Sequence, residues 1–466
     1  MLSRTLPRKG RTTMIDPLMG NTRGTQKPML VSTKQRRIAM LAKNNPTMAF
    51  ISLNHYLDEE WLYQAYLLTR KDGAVGVDGQ QAADYARHLQ ANLADLLSRI
   101  KTGRYRAPAI RRVYIPKGDG KMRPLGIPTF EDKIVQRAVV MLLEPIYEQD
   151  FYDCSFGFRQ QRSAHQALRS LRNDIMDRGG RWILDVDIQR YFDTIDHNQL
   201  RLFLSRRVVD GVVRKLIDKW LKAEILESGM SHYPRQGTPQ GGVISPLLAN
   251  IYLHYVLDQW FDEMVKPRLK KRASLTRFCD DFVMVFEDYK DGYRVEQVLA
   301  KRFRRFGLTL HPDKTRRVDF RYKYRKENIR KGKFVNFDFL GFTHYWGKSR
   351  RGKSVVFQKT AKSRYARTLK AINLFCRNHR HSPLPDQHAM LNRKLRGHYA
   401  YFGITGNNRA LKNLLYQVQR IWHKWLGRRS RKSYIPWQRF KLFLQRFPLA
   451  PAKIHHIYTT HQAANL

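Results

Sequence analysis

The chain has 466 residues, enough for a sizeable buried core and several structural units, because single domains cluster near roughly 100–200 residues. Its 87 Lys and Arg residues exceed its 39 Asp and Glu residues, giving a formal net charge of +48, while 42% of the residues are hydrophobic and 12% aromatic. This composition excludes a disordered basic tail protein and indicates a globular protein that binds a large polyanion such as nucleic acid.

Cysteine usage and hydropathy narrow the cellular setting. Cys154, Cys279 and Cys376 lie far apart and form no Cys-x-x-Cys pair, so neither a disulfide framework nor a cysteine zinc site is expected. The chain has no run of about 18 apolar residues, so no membrane span is predicted. No apolar signal-peptide segment follows the start. We therefore expect a cytoplasmic protein with no membrane partner.

The N-terminal part of the chain is predicted to consist of a tail followed by helices. Residues 1–50 are expected to be a basic, flexible tail that contacts RNA, because Asp16 is the only acid there. An organelle transit peptide is the alternative, but no amphipathic stripe supports it. Helical spacing of apolar residues predicts a helix over 57–70, with Leu68 on its buried face, and a further helix over 85–100.

The middle of the chain contains a predicted hairpin and a predicted helix. Over 105–129, β-branched residues flank the turn sequence Gly-Asp-Gly, which is typical of a hairpin. Further on, Ser245 is predicted to cap a helix that begins at Pro246. This helix is expected to end at about Phe261, because the polar Asp258 interrupts its apolar stripe.

Two strand segments carry acids. Over 182–188 the apolar residues alternate with Asp185 and Asp187, which predicts a half-buried strand with both carboxylates on one side. Further on, two apolar runs flank the adjacent acids Asp280 and Asp281, which predicts a hairpin with two carboxylates at its tip.

Asp187, Asp280 and Asp281 are placed for two-metal phosphoryl transfer. This chemistry requires carboxylates from separate strands that converge on cations about 3.5–4 Å apart. An isolated Asp-Asp pair is usually only a turn former, so the pair alone leaves both interpretations open.

The C-terminal region is helical and strongly basic. From residue 361 onward there are 21 Lys and Arg residues and one acid, Asp386. Apolar stripes over 391–402 and 411–426 predict helices, and a region so basic is expected to bind a phosphate backbone. An ordinary solvated basic helix is the alternative. The cations that lie off these stripes are Arg393, Lys394, Arg396, Arg420 and Lys424.

Six motifs occur in a fixed order along the chain. Together they resemble group II intron-encoded reverse transcriptases and maturases, with the similarity running from about residue 55 to 440. The motifs are RPLGIPT at Arg123–Thr129, DIQRYF at Asp187–Phe192, QGTPQGGVISPLLANIYL at Gln236–Leu253, FCDD at Phe278–Asp281, GLTLHPDKT at Gly307–Thr315 and FDFLGF at Phe337–Phe342.

The resemblance implies an α+β right-hand polymerase fold of fingers, palm and thumb, with a helical, strongly basic C-terminal maturase domain. It places the N-terminal extension and fingers at 51–180, the palm at 181–350 and the thumb or maturase domain at 351–466. It also implies a bacterial source.

The resemblance assigns roles to individual residues. Asp187, Asp280 and Asp281 are expected to be catalytic and to bind two Mg²⁺ ions, with Mn²⁺ as a substitute. Lys117 and Arg123 are expected to hold the incoming triphosphate, Phe192 to exclude a 2′-hydroxyl, and Gln240 to contact the nucleotide sugar and the template. Lys314 is expected either to approach the phosphates or merely to cap the palm. RNA is expected to bind at Arg393, Lys394, Arg396, Arg420 and Lys424.

One motif departs from the family pattern, and one domain is not expected. Relatives usually have Tyr-Ala before the two acids, whereas this chain has Phe278-Cys279, which puts fidelity rather than activity in doubt. Many relatives append a metal-dependent endonuclease, but Cys376 and Asp386 alone cannot build one, so no endonuclease domain is expected.

The sequence thus indicates an RNA-directed DNA polymerase that also binds intron RNA and assists splicing and mobility. Its expected partners are an RNA template, a DNA primer or target, and deoxynucleoside triphosphates. One alternative is an RNA-binding splicing factor with an inactive polymerase, which the intact acids disfavour. The other is a related reverse transcriptase recruited to host defence or repair, which the sequence does not separate from an intron-encoded one.

Overall fold

The computed structural model describes residues 27–116, 122–177, 179–227, 229–322, 335–349, 351–430 and 434–458. Within these ranges the strands form three β-sheets, here called the central, outer and C-terminal sheets. Helices cover these sheets and pack on one another around three hydrophobic cores.

The central sheet has the strand order β6-β7-β3-β8, and all neighbouring strands are antiparallel. Leu184 faces the main core, whereas Ile183 faces a second core. The strand predicted to be half-buried over 182–188 is therefore covered on both faces, because the sheet lies between two packed layers. The strands are β3 (Trp182–Val186), β6 (Ala273–Phe278), β7 (Asp281–Phe286) and β8 (Arg316–Asp319).

The outer sheet has the order β2-β1-β4-β5. Its first two strands pair antiparallel, which confirms the predicted hairpin, although the turn itself lies outside the described residues. The third strand joins the hairpin in parallel from a later part of the chain. The strands are β1 (Ile110–Pro116), β2 (Met122–Ile127), β4 (Ile225–Glu227) and β5 (Met230–His232).

The C-terminal sheet has the order β11-β10-β9 and consists of β9 (Phe337–Phe339), β10 (Phe342–Lys348) and β11 (Ser354–Thr360). The predicted boundary between residues 350 and 351 separates β10 from β11, which pair along their whole length. The helical unit that follows the sheet therefore begins at Lys362.

The long helix α5 is the centre of the main core, and two other helices pack along it. Its first turn is capped by Thr129, whose hydroxyl accepts a hydrogen bond from the backbone N–H of Asp132 at 3.2 Å. The helices up to residue 305 are α1 (Lys27–Asn44), α2 (Glu59–Leu68), α3 (Ala82–Ala86), α4 (Leu89–Lys101), α5 (Phe130–Asp150), α6 (Ala164–Met176), α7 (Tyr191–Thr194), α8 (His197–Ser205), α9 (Gly211–Leu221), α10 (Ser245–Leu253) and α11 (Tyr289–Arg305).

Helix α1 occupies much of the segment that was predicted to be a flexible tail. Val31, Ile38 and Ala42 are buried, and the helix packs against α5. The buried Arg207 donates to backbone carbonyls at and beyond the end of α1, including that of Ala42. The prediction of a flexible tail is therefore wrong for α1, because its apolar residues recur at helical spacing and pack against α5.

Two further predictions need correction at the N-terminal helices. Leu68 was expected to be buried, but it is 53% exposed, and Leu62 takes the buried position. The single helix predicted over 85–100 is two helices, α3 and α4, with a break at Arg87 and His88.

Helix α10 begins and ends differently from the prediction. Ser245 is its first helical residue rather than its cap, and its hydroxyl donates to the carbonyl of Pro239 at 2.8 Å. The helix continues through π-helical turns at His254–Asp258 and Trp260–Val265, beyond the predicted end. The polar Asp258 does not end the helix because it is buried against a counter-charge, Arg277.

The last helices form the third core, as the sequence periodicity predicted. Leu391 and Leu395 pack with Leu414 and Trp422 in this core. No helix in the described part of the chain is long and apolar enough to cross a membrane. The helices are α12 (Lys362–Asn378), α13 (Leu384–Phe402), α14 (Asn408–Leu426) and α15 (Trp437–Arg446).

Candidate active site

The predicted acids meet at one end of the central sheet. Val186 pairs with Phe282, so continuing the antiparallel register by one residue sets Asp187 beside Asp281. Cys279 and Asp280 form the two-residue turn between β6 and β7, since Phe278 pairs directly with Asp281. Adjacent strand ends therefore deliver three carboxylates to one place, as the sequence predicted.

A cleft of about 470 Å³ opens beside these strand ends, and we call it the carboxylate cleft. The end of β3, the start of β7, the turn between β9 and β10 and the first turn of α12 form its walls. Its charged lining residues are Asp185, Asp187, Asp281, Asp313, Lys314, Arg316, Asp338 and Arg364.

Two carboxyls at the turn between β6 and β7 hold their protons more tightly than isolated acids. Burial, followed by the charges of Asp280, Asp187 and Asp185, raises the pKa of Asp281 to about 7. Burial also raises the pKa of Asp280, with a further contribution from Asp187. Such mutual repulsion is relieved when a cation enters, so the acids form a ready site for positive charge.

Cations of the protein already neutralise part of this charge. The Lys314 ammonium lies 2.5 Å from a carboxylate oxygen of Asp187, and the Arg316 guanidinium lies 3.2 Å from one of Asp185. Burial raises the pKa of Asp185 to about 6, and Arg316 opposes that rise. No group of three or more His, Cys, Asp or Glu side chains in the described ranges is arranged as a preformed metal site.

Comparisons with known proteins show which family this part of the chain resembles. Residues 115–344 match the family model described as reverse transcriptase (RNA-dependent DNA polymerase). Protein YkfC of Escherichia coli K12 is 36% identical over 294 residues, which cover 56% of this chain and 77% of YkfC. The group II intron-encoded protein LtrA of Lactococcus lactis is 41% identical over 223 residues, which cover 47% of this chain and 36% of LtrA.

The chain belongs to the group II intron reverse transcriptase and maturase family. An uncharacterized 91 kDa protein in a cob intron of Schizosaccharomyces pombe is a further relative, 32% identical over 274 residues, or 56% of this chain and 33% of that protein. The chain thus spans most of YkfC but about a third of the other two relatives. Its enzyme class is RNA-directed DNA polymerase. The expected α+β right-hand polymerase fold is confirmed by the family match and the mixed architecture.

The predicted nucleotide-binding residues of this reverse transcriptase are not all in one cleft. Lys314 lines the carboxylate cleft, and Arg123 on β2 is close enough that its charge partly opposes the rise in the pKa of Asp280 that burial causes. Phe192 is half-buried against the main core, and its carbonyl accepts from Thr238. Gln240 lines a neighbouring cavity instead. Lys117 lies outside the described residues.

The loop with Gln240 is tied to the outer sheet by a close backbone approach. The carbonyl of Gln240 accepts a hydrogen bond of 2.7 Å from the N–H of Gly126. A Cβ atom on Gly241, whose φ is +122°, would come within 2.5 Å of the Gly126 carbonyl oxygen. Gly241 is therefore required by its packing against β2, which holds the loop with Gln240 against the outer sheet.

The five C-terminal cations lie away from the cleft, on the exposed faces of α13 and α14. Arg393, Lys394 and Arg396 project from α13 opposite its buried stripe. Arg420 and Lys424 line a separate pocket on α14 together with Asn373, Trp437 and other residues. Lys394, Arg420 and Lys424 each lie over an aromatic ring.

Sequence reasoning missed two cations of the cleft. Arg316 follows the GLTLHPDKT motif immediately, so its proximity to Lys314 was a usable signal. Arg364 lines the cleft, where its charge partly opposes the rise in the pKa of Asp281 that burial causes, but no motif marks it. Its place in the cleft depends on where α12 begins relative to the central sheet, which local sequence does not encode.

Proposed function

We propose that this chain copies RNA into DNA by two-metal nucleotidyl transfer at Asp187, Asp280 and Asp281. The observation that carries the proposal is the convergence of these three carboxylates at the ends of adjacent antiparallel strands. The match to the reverse transcriptase model over 115–344 supports the choice of substrates, namely an RNA template, a DNA primer and deoxynucleoside triphosphates.

The chemistry of the donor set fits two Mg²⁺ ions, with Mn²⁺ as a substitute. Mg²⁺ prefers carboxylate oxygens, and the raised pKa values of Asp280 and Asp281 reflect burial together with neighbouring negative charge that a divalent cation would offset. Asp187, Asp280 and Asp281 would hold the ions. When bound, they would supply activation of the primer 3′-hydroxyl and neutralisation of the triphosphate.

Other side chains of the chain would bind and orient the nucleotide. Arg123 lies near Asp280 and would receive triphosphate oxygens, with Lys117 assigned the same task by motif position. Lys314 would exchange its salt bridge with Asp187 for a phosphate once the carboxylate is engaged. Phe192 would exclude the 2′-hydroxyl, and Gln240 would contact the sugar and template.

The exposed cations of α13 and α14 would bind intron RNA and support splicing and mobility. Arg393, Lys394 and Arg396 share one solvent-facing side of α13, where a phosphate backbone can run along them. Together with Arg420 and Lys424 they form the candidate RNA surface of a thumb and maturase unit. In this proposal the fingers lie within 51–180 and the palm begins at 181, apart from the strands β4 and β5 that join the outer sheet; the thumb and maturase unit begins with the helices from Lys362. No endonuclease step is part of it.

Primer extension on an RNA template tests the proposed function, with Asp187→Asn and Asp185→Asn as a matched pair. Both acids leave the same side of one strand, but Asp185 is engaged by Arg316. We expect Asp187→Asn to lower the rate by about 1000-fold or more, since metal coordination contributes several kcal/mol to the transition state. Asp185→Asn should stay within about 10-fold of wild type. Equal losses would refute the assignment, and an inactive wild type would favour the splicing-factor alternative.

A further inference from the structure

A fully buried ion pair lies beneath the turn between β6 and β7, which is formed by Cys279 and Asp280. The side chains of Arg277 and Asp258 are both 0% exposed. The Arg277 Nε donates to one Asp258 oxygen at 2.8 Å, and its Nη2 donates to the other. Arg277 is the penultimate residue of β6, two positions before Cys279, and Asp258 ends the first π-helical segment after α10.

The remaining arm of the guanidinium is engaged with the turn itself. Nη1 donates to the backbone carbonyl of Cys279 at 3.0 Å and to the side-chain oxygen of Asn250 at 2.9 Å. The same Asn250 donates to the carbonyl of Gly157 at 2.7 Å. A Cβ atom on Gly157 would lie 2.4 Å from the Cys279 nitrogen, so this loop supports the turn from behind.

The turn needs support because its backbone is strained. Cys279 has a φ of +59°, in the left-handed region that non-glycine residues rarely adopt. Its carbonyl belongs to the peptide that leads into Asp280, so the Arg277 bond fixes the plane from which that carboxylate projects. Loss of the bond would free this peptide to rotate and carry the Asp280 carboxylate with it.

Stability alone is a poor reason to keep such a pair. Buried ion pairs are often matched or exceeded in stability by apolar residues of similar volume. A guanidinium, by contrast, offers five N–H donors in a rigid plane and can hold Asp258, Asn250 and the Cys279 carbonyl together. Lysine presents a single charged nitrogen and cannot reproduce that geometry.

We propose that Arg277 is a positioning residue that holds the Cys279–Asp280 peptide, and thereby the Asp280 carboxylate, in the orientation required for divalent metal binding. The inference rests on the proposed function for the identity of the metal site. Its π-helical partner Asp258 has the task of holding the guanidinium in place rather than of touching metal or substrate.

Mn²⁺ binding by the full-length protein tests this role, measured by electron paramagnetic resonance without nucleic acid or nucleotide. The variants are Arg277→Lys and the double variant Asp258→Leu with Arg277→Met, which removes both charges and leaves none buried alone. The matched control is Arg207→Lys. Arg207 is similarly buried, pairs with Asp150 and donates to several carbonyls, but it supports the end of α1. Thermal melting of all variants accompanies the binding measurement.

We expect both Arg277 variants to weaken Mn²⁺ binding by about 10–100-fold, the usual effect of losing a residue that orients a metal ligand. The Mg²⁺ concentration for half-maximal primer extension should rise in parallel. Arg207→Lys should melt earlier than wild type yet bind Mn²⁺ within about 2-fold of it.

Mn²⁺ affinities of both Arg277 variants within about 2-fold of wild type would overturn the positioning role, whatever their melting temperatures. If Arg277→Lys does not fold, the double variant decides the question. A wild type that binds Mn²⁺ but does not extend a primer would refute the proposed function, while the affinities would still decide the role of Arg277. A wild type that binds no Mn²⁺ would overturn the inference.

Discussion

Asp281→Asn should stabilise the metal-free protein at pH 8 while it removes polymerase activity. Burial is the main cause that raises the pKa of Asp281 to about 7, and the like charges around it add to this rise. A carboxyl whose pKa is raised in the fold stabilises the protein fully below its ordinary value of 3.8, and this stabilisation is lost as the pH rises through about 7. Above pH 7 the ionised group therefore opposes folding, and a neutral asparagine does not.

The size of this effect follows from the two pKa values. The gap between 3.8 and about 7 corresponds to at most ~4 kcal/mol of unfolding free energy. The carboxyl group is enclosed by the cleft walls, yet the residue presents exposed surface at the cleft mouth, and water there screens its charge. Because this water weakens the electrostatic cost, we expect about 1 kcal/mol of unfolding free energy, or about 1 °C in melting temperature for a chain of this length. At pH 5 the gain should fall to about a third, because only the gap between 3.8 and 5 remains.

Differential scanning fluorimetry of wild type and Asp281→Asn in EDTA, at pH 5 and pH 8, checks this expectation. Adding Mg²⁺ at pH 8 should raise the melting temperature of wild type more than that of the variant, because a bound cation relieves the same repulsion. A variant that melts below wild type at pH 8, or that gains equally at both pH values, would refute the electrostatic reasoning.

Two further predictions concern the nucleotide and the RNA. Phe192→Ala should raise ribonucleotide use by about 10-fold or more in single-nucleotide incorporation assays, because the ring that excludes the 2′-hydroxyl is gone; unchanged discrimination would remove Phe192 from that role. Replacing Arg393, Lys394 and Arg396 by Ala should reduce the slope of log K against log salt concentration for RNA binding by about 2, from three lost phosphate contacts. An unchanged slope in filter-binding titrations would place the RNA elsewhere.

The acids could be found from sequence because their placement depends on short-range rules. Alternation along β3 puts Asp185 and Asp187 on one side, and a two-residue turn necessarily leaves Asp280 and Asp281 at the tip of a hairpin. The pairing of the two segments is a distant contact, and it was supplied by the family resemblance that the ordered motifs carry.

The errors have the opposite character, since each depends on a contact made outside the element in which the residue lies. In the sequence, Asp258 interrupts the apolar stripe and so predicts that the helix ends nearby. Hydropathy does not reveal the buried Arg277 that neutralises it. The hydroxyl of Ser245 is used by the preceding loop instead of the helix N-terminus. Arg364 reaches the cleft only through the packing of α12 after the C-terminal sheet. Long-range pairing of this kind is decided by the assembled fold.

The central claim is that a compact carboxylate site performs synthesis while dispersed cations bind RNA. Its most direct test measures DNA synthesis and RNA binding on the same preparation of the double variant Asp280→Ala, Asp281→Ala and of wild type. We predict that the variant loses extension of a primer on RNA while its RNA affinity stays within about 2-fold of wild type. Loss of both properties together, in a variant that melts like wild type, would contradict the claim.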